Sequence, residues 1–528
     1  MTYPADPSAA PTVRDSTPLP TIQRAARWCT AAADRHWRFI VMAFSLVFFW
    51  NATERASLKP FWHDEIYTIV IASLPTLGTI WDAHLAGLDS MPPLNSMFTH
   101  AVFGIVGAGP ITTRLPAMLG VWTWTVVSFA IVRRRSNTTA GLSAALLILL
   151  SGAGPLAYEA RGYGVMLGLC ALALFCWSEV ASGRRRMLHL PLLACALAAA
   201  IWTHFYAALI VVPIITGELV RFVRTRKLDV AVLASLTAAA VAILPLYPLL
   251  KLAASQSATY FQKISVSQIP AAYVSISLAL IGPWARAFGV LLAAMVLLPA
   301  FRFEPRRELR RIPVHEVAAA LMTMFIPVWA ILISLLVSGA FVPRYASVAA
   351  VGVFIVVPIL ASRLRNQLAP LLLCLMSCAI FVHAFRGTAA EVPYQRPLDY
   401  RPILRTALTE SAPVVVTGTL YLQMWYYAPP EGRDRLTYLT NPSAALRLIG
   451  TDSLERDYLV LRDWSRVIVQ DYEAFIRANE RFYLYDVGAL SWILEKLRED
   501  RAGIREIGRE SGATMYEITP QFDAWNQP

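Results

Sequence analysis

A series of long apolar runs, separated by short polar connections, constrains this chain more than any other feature. The runs lie at 39–50, 115–132, 139–157, 163–181, 187–203, 205–221, 229–250, 286–301, 315–338, 342–361 and 367–385. A helix of about 20 apolar residues crosses the ~30 Å of hydrocarbon in a bilayer, and most of these runs approach that length. Only 16% of the 528 residues are charged and 56% are hydrophobic, whereas soluble chains average ~25% charged. Disorder, collagen and a disulfide scaffold are excluded as overall classes. The expectation is a polytopic α-helical membrane protein with about 11 transmembrane helices, in a range of roughly 11–13.

The connections alternate in charge. Arg133–Arg135, Arg184–Arg186, the Arg221–Lys227 cluster, Arg302–Arg311 and Arg363/Arg365 fall at every second connection. Cytoplasmic loops collect Lys and Arg, so these clusters mark one side of the membrane. The alternation makes Pro92–Ala108 a re-entrant or interfacial helix inside a large first outside loop, 53–114, rather than a crossing. Residues 390–528 carry 16 Lys+Arg against 20 Asp+Glu, so the net charge of +12 arises wholly before them. That charge reads as an orientation signal and as contact with lipid headgroups, and no nucleic-acid partner is expected.

Three regions follow. Residues 1–37, rich in Pro, Ser and Thr at first and basic later, read as a disordered cytoplasmic tail; an uncleaved first helix fits better than a signal peptide. Residues 38–389 hold the spans and the first outside loop. Residues 390–528 change composition, with short apolar runs at Val414–Thr417, Leu436–Leu439, Tyr458–Leu461 and Phe482–Tyr485 that read as buried strands. Helical patterns at 465–479 and 489–499 lie between them, and the alternation predicts an extracytoplasmic α/β domain. Its Tyr421, Trp425, Tyr426 and Tyr427 either pack internally or stack on a sugar, with packing favoured. The six cysteines lie in or beside spans, where a small hydrophobe is their default role.

Ionisable residues of the membrane part gather at the outside ends of the spans. Asp64-Glu65, Asp82 and Asp89 lie in the first outside loop, Glu159 and Arg161 at the end of one span, His204 at a turn, and Arg344-Tyr345 at the start of another. Each has an ordinary reading as surface decoration, helix-end polarity or mutual pairing; their agreement on one face is the informative observation.

The motifs occur in the order His63–Tyr67 (HDEIY), Asp89–Leu94 (DSMPPL), Arg114–Ala117 (RLPA), Glu159–Tyr163 (EARGY), Thr203–Tyr206 (THFY) and Pro343–Tyr345 (PRY). Over about residues 38–385 this order resembles the bacterial GT-C glycosyltransferases. The likeness lies with the group that is similar to dolichyl-phosphate-mannose-protein mannosyltransferases and includes the aminoarabinose transferases of lipid A and the rhizobial galacturonosyltransferases. The resemblance implies a GT-C fold, a polyprenyl-phosphate sugar donor, and transfer to an acceptor hydroxyl on a glycan, lipid or protein of the cell envelope. It implies chemistry on the extracytoplasmic face of a bacterial inner membrane. It also implies that Asp64 is the catalytic base with Glu65 beside it, and that Asp89, Glu159, Arg161, Tyr163, His204, Arg344 and Tyr345 serve the donor. Some relatives hold a divalent metal near the donor phosphate, and Asp89 and His204 are the nearest matches here; Met91 stands where related sequences often carry Lys or His. One carboxylate acting directly on the acceptor implies inversion at the anomeric carbon. A transporter or flippase for lipid-linked saccharides is the competing reading. It would place charge near the bilayer midplane and often show internal repeats, and neither is evident in the sequence. A noncatalytic scaffold would tolerate loss of the Asp64-Glu65 pair, which is present.

Overall fold

The structure, a computed structural model, describes residues 21–262, 264–277, 284–297, 312–364, 368–391, 397–488 and 491–521. The first 20 residues of the expected tail, the Arg302–Arg311 cluster, Arg365 and residues 489–490 lie outside them. Thr21–Arg35, expected to continue the disordered tail, forms a 15-residue helix. The Pro- and Ser-rich composition ends before it, and Ala and Arg, both strong helix formers, fill it.

Among the described residues, six helices are long and apolar enough to cross a membrane. They are Pro110–Arg135, Tyr163–Ala181, Arg186–Thr203, Phe205–Thr225, Val230–Ser255 and Leu368–Arg386; Val314–Met324 and Ile326–Leu336, bent by 54°, together make a seventh. The chain is a multi-pass membrane protein. Fewer helices meet that length among the described residues than there are apolar runs, because some runs extend beyond the described residues and others break where the chain turns polar. The 139–157 run is helical only over Thr138–Leu150 and continues, after Gly152, as a 3-10 turn at Gly154–Tyr158. The 342–361 run opens with a 3-10 turn, Pro343–Ala346, and becomes helical over Ala349–Ser362. Pro92–Ala108 contributes a 13-residue helix, Leu94–Val106, too short for a crossing.

Small residues set the closest helix approach. A Cβ on Gly120 would fall 2.3 Å from the carbonyl oxygen of Gly164, and one on Gly168 would fall 2.3 Å from that of Gly120. The Pro110–Arg135 and Tyr163–Ala181 helices therefore meet backbone to backbone, as small residues allow within a bilayer. The 26-residue Pro110–Arg135 helix is ~39 Å long, and its two ends differ in chemistry. At the C-terminal end, Arg135 Nε donates to Glu316 Oε2 at 2.8 Å, Arg134 reaches Glu316 at 3.2 Å and also contacts Glu179, and Arg363 Nη2 donates to the Arg135 carbonyl at 3.1 Å. Arg114, near the N-terminal end, belongs to the site described below.

The C-terminal region carries a six-stranded mixed sheet in the order β3-β2-β1-β4-β6-β5. Its strands are β1 Val414–Val416, β2 Leu436–Thr440, β3 Val469–Asp471, β4 Phe482–Asp486, β5 Gly503–Glu510 and β6 Ala513–Thr519. The first four are parallel, while β6 runs antiparallel to β4 and to β5. Three of the expected strands form. Tyr458–Leu461 does not: it lies in the Ser453–Trp464 helix, whose buried Leu454, Tyr458 and Leu461 follow a helical period. The 465–479 stretch, expected to be helical, splits into β3 and the Tyr472–Ala478 helix.

One face of this sheet shares a hydrophobic core with the 53–114 loop. Phe61, Ile66, Tyr67, Ile71, Ile80 and Leu88 pack with Val414, Val416, Tyr421, Tyr438 and Tyr458. Gln423 Nε2 donates to the Phe61 carbonyl at 2.9 Å, and the Phe61 N–H donates to Tyr427 Oη at 2.6 Å. The aromatic 421–427 cluster is thus a packing element: Tyr421 is fully buried and Tyr426 meets the Phe61 ring at 5.8 Å.

Candidate active site

The His63–Ala72 helix starts where Trp62 holds an extended backbone, with Asp64 and Glu65 in its first turn. Carboxylates are favoured at a helix N-terminus by the orphan N–H groups and the dipole. Adjacent helical positions point about 100° apart, so the two side chains enter different surroundings.

Glu65 turns inward. It is fully buried, and its Oε1 and Oε2 each accept from Arg114 at 2.8 Å, through Nε and Nη2. The Ala160 N–H donates to Oε1 at 2.8 Å and the Trp62 N–H to Oε2 at 3.3 Å. Arg114, also fully buried, donates to the carbonyls of Ala56 and Lys59 at 2.6 and 2.8 Å and lies over the Phe61 ring at 4.4 Å. A bidentate guanidinium–carboxylate pair is the arrangement in which both groups tolerate burial. It ties the 53–65 stretch to the Pro110–Arg135 helix and, through Ala160, fixes the segment of chain that carries Arg161.

Asp64 turns toward a cavity of about 150 Å³ whose wall includes His63, Asp64, Tyr67, Asp89, Arg161 and Arg344. Its Oδ1 lies 3.2 Å from His63 Nδ1 and its Oδ2 lies 3.2 Å from Arg344 Nη2 and 4.0 Å from Arg161 Nε. Burial alone would raise its pKa, but the His63 hydrogen bond and the charges of Arg161 and Arg344 outweigh burial and hold it well below the usual carboxylate range. Asp64 is therefore an ionised carboxylate at neutral pH. Arg161 in turn donates to both oxygens of Asp89, at 2.8 and 3.3 Å, while the Met91 N–H closes on Asp89 Oδ1 at 3.0 Å. Arg344, on the Pro343–Ala346 turn, faces the rings of Tyr163 at 5.3 Å and Trp62 at 5.7 Å.

The residues singled out in the sequence thus divide. Asp64, Asp89, Arg161, Arg344 and Tyr345 line one cavity, and Tyr345 Oη lies 2.9 Å from Tyr260 Oη. Glu65 lies behind the wall. Glu159 also lies off it, 3.4 Å from Lys59 Nζ, and makes no pair with Arg161. Tyr163 and His204 are buried beneath the cavity, their rings 5.2 Å apart and packed against Tyr345 at 6.4 and 5.0 Å. His204 Nδ1 accepts the Tyr206 N–H at 3.2 Å.

A divalent metal held by Asp89 and His204 does not fit this donor set. Both Asp89 oxygens are engaged by a guanidinium, His204 is not on the cavity wall, and no three His, Cys, Asp or Glu side chains converge among the described residues. The reading from sequence passed over His63, Tyr67, Tyr260, Ser453, Arg456 and Asp457, all on the cavity wall. His63 and Tyr67 stood inside a motif whose acidic pair drew the attention. The last three come from the C-terminal region and carry no motif.

No family model matches the chain and no curated protein matches it. Among solved structures it is similar to the crystal structure of ArnT from Cupriavidus metallidurans in the apo state, at 14% identity with a TM-score of 0.57, covering 92% of this chain and 98% of that one. It is likewise similar to ArnT from the same organism bound to undecaprenyl phosphate, at 13% identity with a TM-score of 0.55, over 91% and 98%. The chain therefore shares the overall fold of these two ArnT structures.

Proposed function

We propose that the chain is an integral-membrane glycosyltransferase that moves a sugar from a polyprenyl-phosphate donor to an acceptor hydroxyl of the cell envelope, with inversion. The observation that carries the reading is Asp64, an ionised carboxylate in a polar cavity with two guanidinium groups within 4.0 Å. A polyprenyl-phosphate sugar cannot leave the bilayer, so its transferase needs a polar site at the hydrocarbon–water boundary. Undecaprenyl phosphate, which ArnT binds, is a donor carrier of this chemical class. As the bond from the anomeric carbon to the phosphate breaks, negative charge collects on the phosphate and positive charge on the sugar. Fixed charges placed for those two centres lower the barrier without reorganising. Arg344, whose side chain is 38% exposed, is the cation available to the phosphate, and Arg161 supports it while keeping Asp89 in place. Asp64 faces the developing positive charge at the sugar. Glu65 is proposed as a positioning residue, through Arg114 and Ala160.

The positive-inside rule puts the Arg133–Arg135 end in the cytoplasm. The site and the C-terminal domain then face the periplasm of a bacterial inner membrane. A cluster at a span end, rather than at the midplane, argues against transport of lipid-linked saccharides.

The full-length chain in nanodiscs is expected to bind undecaprenyl phosphate, read by native mass spectrometry. Arg344→Met should weaken binding about 10- to 100-fold, the value of a charge-assisted hydrogen bond of ~1.5–3 kcal/mol. EDTA should leave binding unchanged, because guanidinium groups supply the positive charge. Binding that is abolished by EDTA and restored by a divalent cation would contradict this site, as would an Arg344→Met variant that binds like the parent.

A further inference from the structure

The Arg133–Arg135 end of the Pro110–Arg135 helix, remote from Asp64, borders a cavity of about 590 Å³. None of the residues lining it lines the cavity that holds Asp64. Three helices share its wall: Pro110–Arg135, the start of Trp37–Leu58 and the end of Tyr163–Ala181.

The wall is charged at its rim. Arg133, Arg134, Arg135 and Arg184 stand there against two carboxylates, Asp34 and Glu179. Both carboxylates are engaged: Asp34 Oδ1 accepts the Thr138 N–H at 2.7 Å, and Glu179 contacts Arg134. Arg134 and Arg135 also share Glu316. Arg133 and Arg184 differ from them, because neither forms an ion pair with a carboxylate among the described residues. Arg133 Nε donates to Thr138 Oγ1 at 3.2 Å, and its guanidinium lies over the Trp37 ring at 4.3 Å. Arg184 is exposed.

Away from the rim, toward the middle of the spans, the same wall turns apolar. Val126, Phe129 and Ala130 lie up to two turns, about 10 Å, along the helix from Arg133. Phe175 lies one turn from Glu179, and Val41 one turn from Trp37. Val41, Val126, Ala130 and Phe175 are each half-buried, so apolar surface stays open beside two guanidinium groups that no described carboxylate neutralises.

This pairing selects among ligands. A small anion would use the rim and leave the apolar wall bare. A hydrocarbon chain without charge would leave both guanidinium groups uncompensated. A lipid with a net negative phosphate headgroup satisfies both parts, because guanidinium forks match phosphate oxygens and the apolar wall continues into the hydrocarbon. Trp37 stands beside the rim, as indoles do at the headgroup level. Basic pockets between spanning helices hold anionic headgroups by the same chemistry.

We propose that this cavity binds one anionic phospholipid of the leaflet at the Arg133–Arg135 end. Arg133 and Arg184 hold its phosphate, and one acyl chain lies along Val126, Ala130 and Phe175. The site shares no residue with the candidate active site, so it stands or falls apart from the transferase reading.

Native mass spectrometry of the delipidated full-length chain, titrated in detergent, tests the site. The parent should bind one phosphatidylglycerol about 10-fold more tightly than phosphatidylethanolamine. The Arg133→Gln/Arg184→Gln double variant should weaken phosphatidylglycerol about 10- to 30-fold, through two lost headgroup contacts, while undecaprenyl phosphate binds as in the parent. Ala130→Trp, which fills the apolar wall and removes no charge, should also weaken phosphatidylglycerol. Arg224→Gln removes an exposed arginine outside the cavity and should bind as the parent does. Equal binding of the two phospholipids by the parent would overturn the site, as would a double variant that binds like the parent. An Arg224→Gln loss equal to that of the double variant would overturn it too, by reducing it to bulk attraction. Glycerol 3-phosphate displacing phosphatidylglycerol at equal concentration would assign the rim to a soluble phosphate and remove the lipid. Should the double variant lose undecaprenyl phosphate in parallel, Ala130→Trp decides: parental phosphatidylglycerol binding by that variant overturns the site.

Discussion

Asp64→Asn should reduce sugar transfer on the order of 10³-fold, the scale at which removing one preorganised charge-stabilising group acts, while expression and membrane insertion stay at parental levels. The amide keeps the size of the carboxylate and loses its charge. In the parent, that charge balances Arg344 at 3.2 Å and Arg161 at 4.0 Å; in the proposed reaction it faces the carbon at which positive charge develops. The substitution should act on the rate of transfer and leave lipid binding intact or tighter, since Arg344 loses its counter-ion and becomes freer for phosphate. Fluorescence-detected size-exclusion of the tagged chain reads folding, and product formation in a detergent extract of deletion-strain membranes, which holds the endogenous donor and acceptor, reads transfer. A fully active Asp64→Asn variant would remove Asp64 from the chemistry.

The neighbouring carboxylate should fail in a different way. Glu65→Gln leaves the Arg114 guanidinium buried at zero exposure without its counter-ion, and breaking such a pair costs about 3–5 kcal/mol. Folded protein should therefore be lost before catalysis can be judged. Arg114→Met should have a similar effect, for the converse reason. Replacing both partners with apolar side chains should recover part of the lost stability, since it strands no charge. Thermal unfolding in detergent checks this. Were Glu65 a member of the reacting pair, Glu65→Gln would instead give a stable, inactive chain.

Much of the candidate site's grouping could be read from the sequence because the 53–114 loop and the span ends bring separate polar motifs together. That organisation is set by hydropathy and by the alternation of basic connections. The division of labour between Asp64 and Glu65 could not be read. Two adjacent helical residues differ in direction by about 100°, and only the position of Arg114 in space shows which one turns inward. Asp457 was hidden for another reason. The Tyr458–Leu461 run beside it is uniformly apolar, so it reads as a strand, and only the packed helix shows Leu454, Tyr458 and Leu461 buried together with Asp457 turned to the cavity. Where the helices inside the apolar runs end was not legible either: glycine and proline convert apolar helix into 3-10 turns at Gly154–Tyr158 and Pro343–Ala346. Those breaks sit beside Arg161 and Arg344. Apolarity reports the length of a run but not where the helix inside it ends.

Mass spectrometry of the cell-envelope glycans from a strain lacking this gene asks most directly whether the chain is a transferase. Loss of one defined sugar, restored by the parent chain and not by Asp64→Asn, is the expected result. A glycan profile complete in every sugar, with lipid-linked intermediates accumulating, would contradict the transferase reading and favour transport.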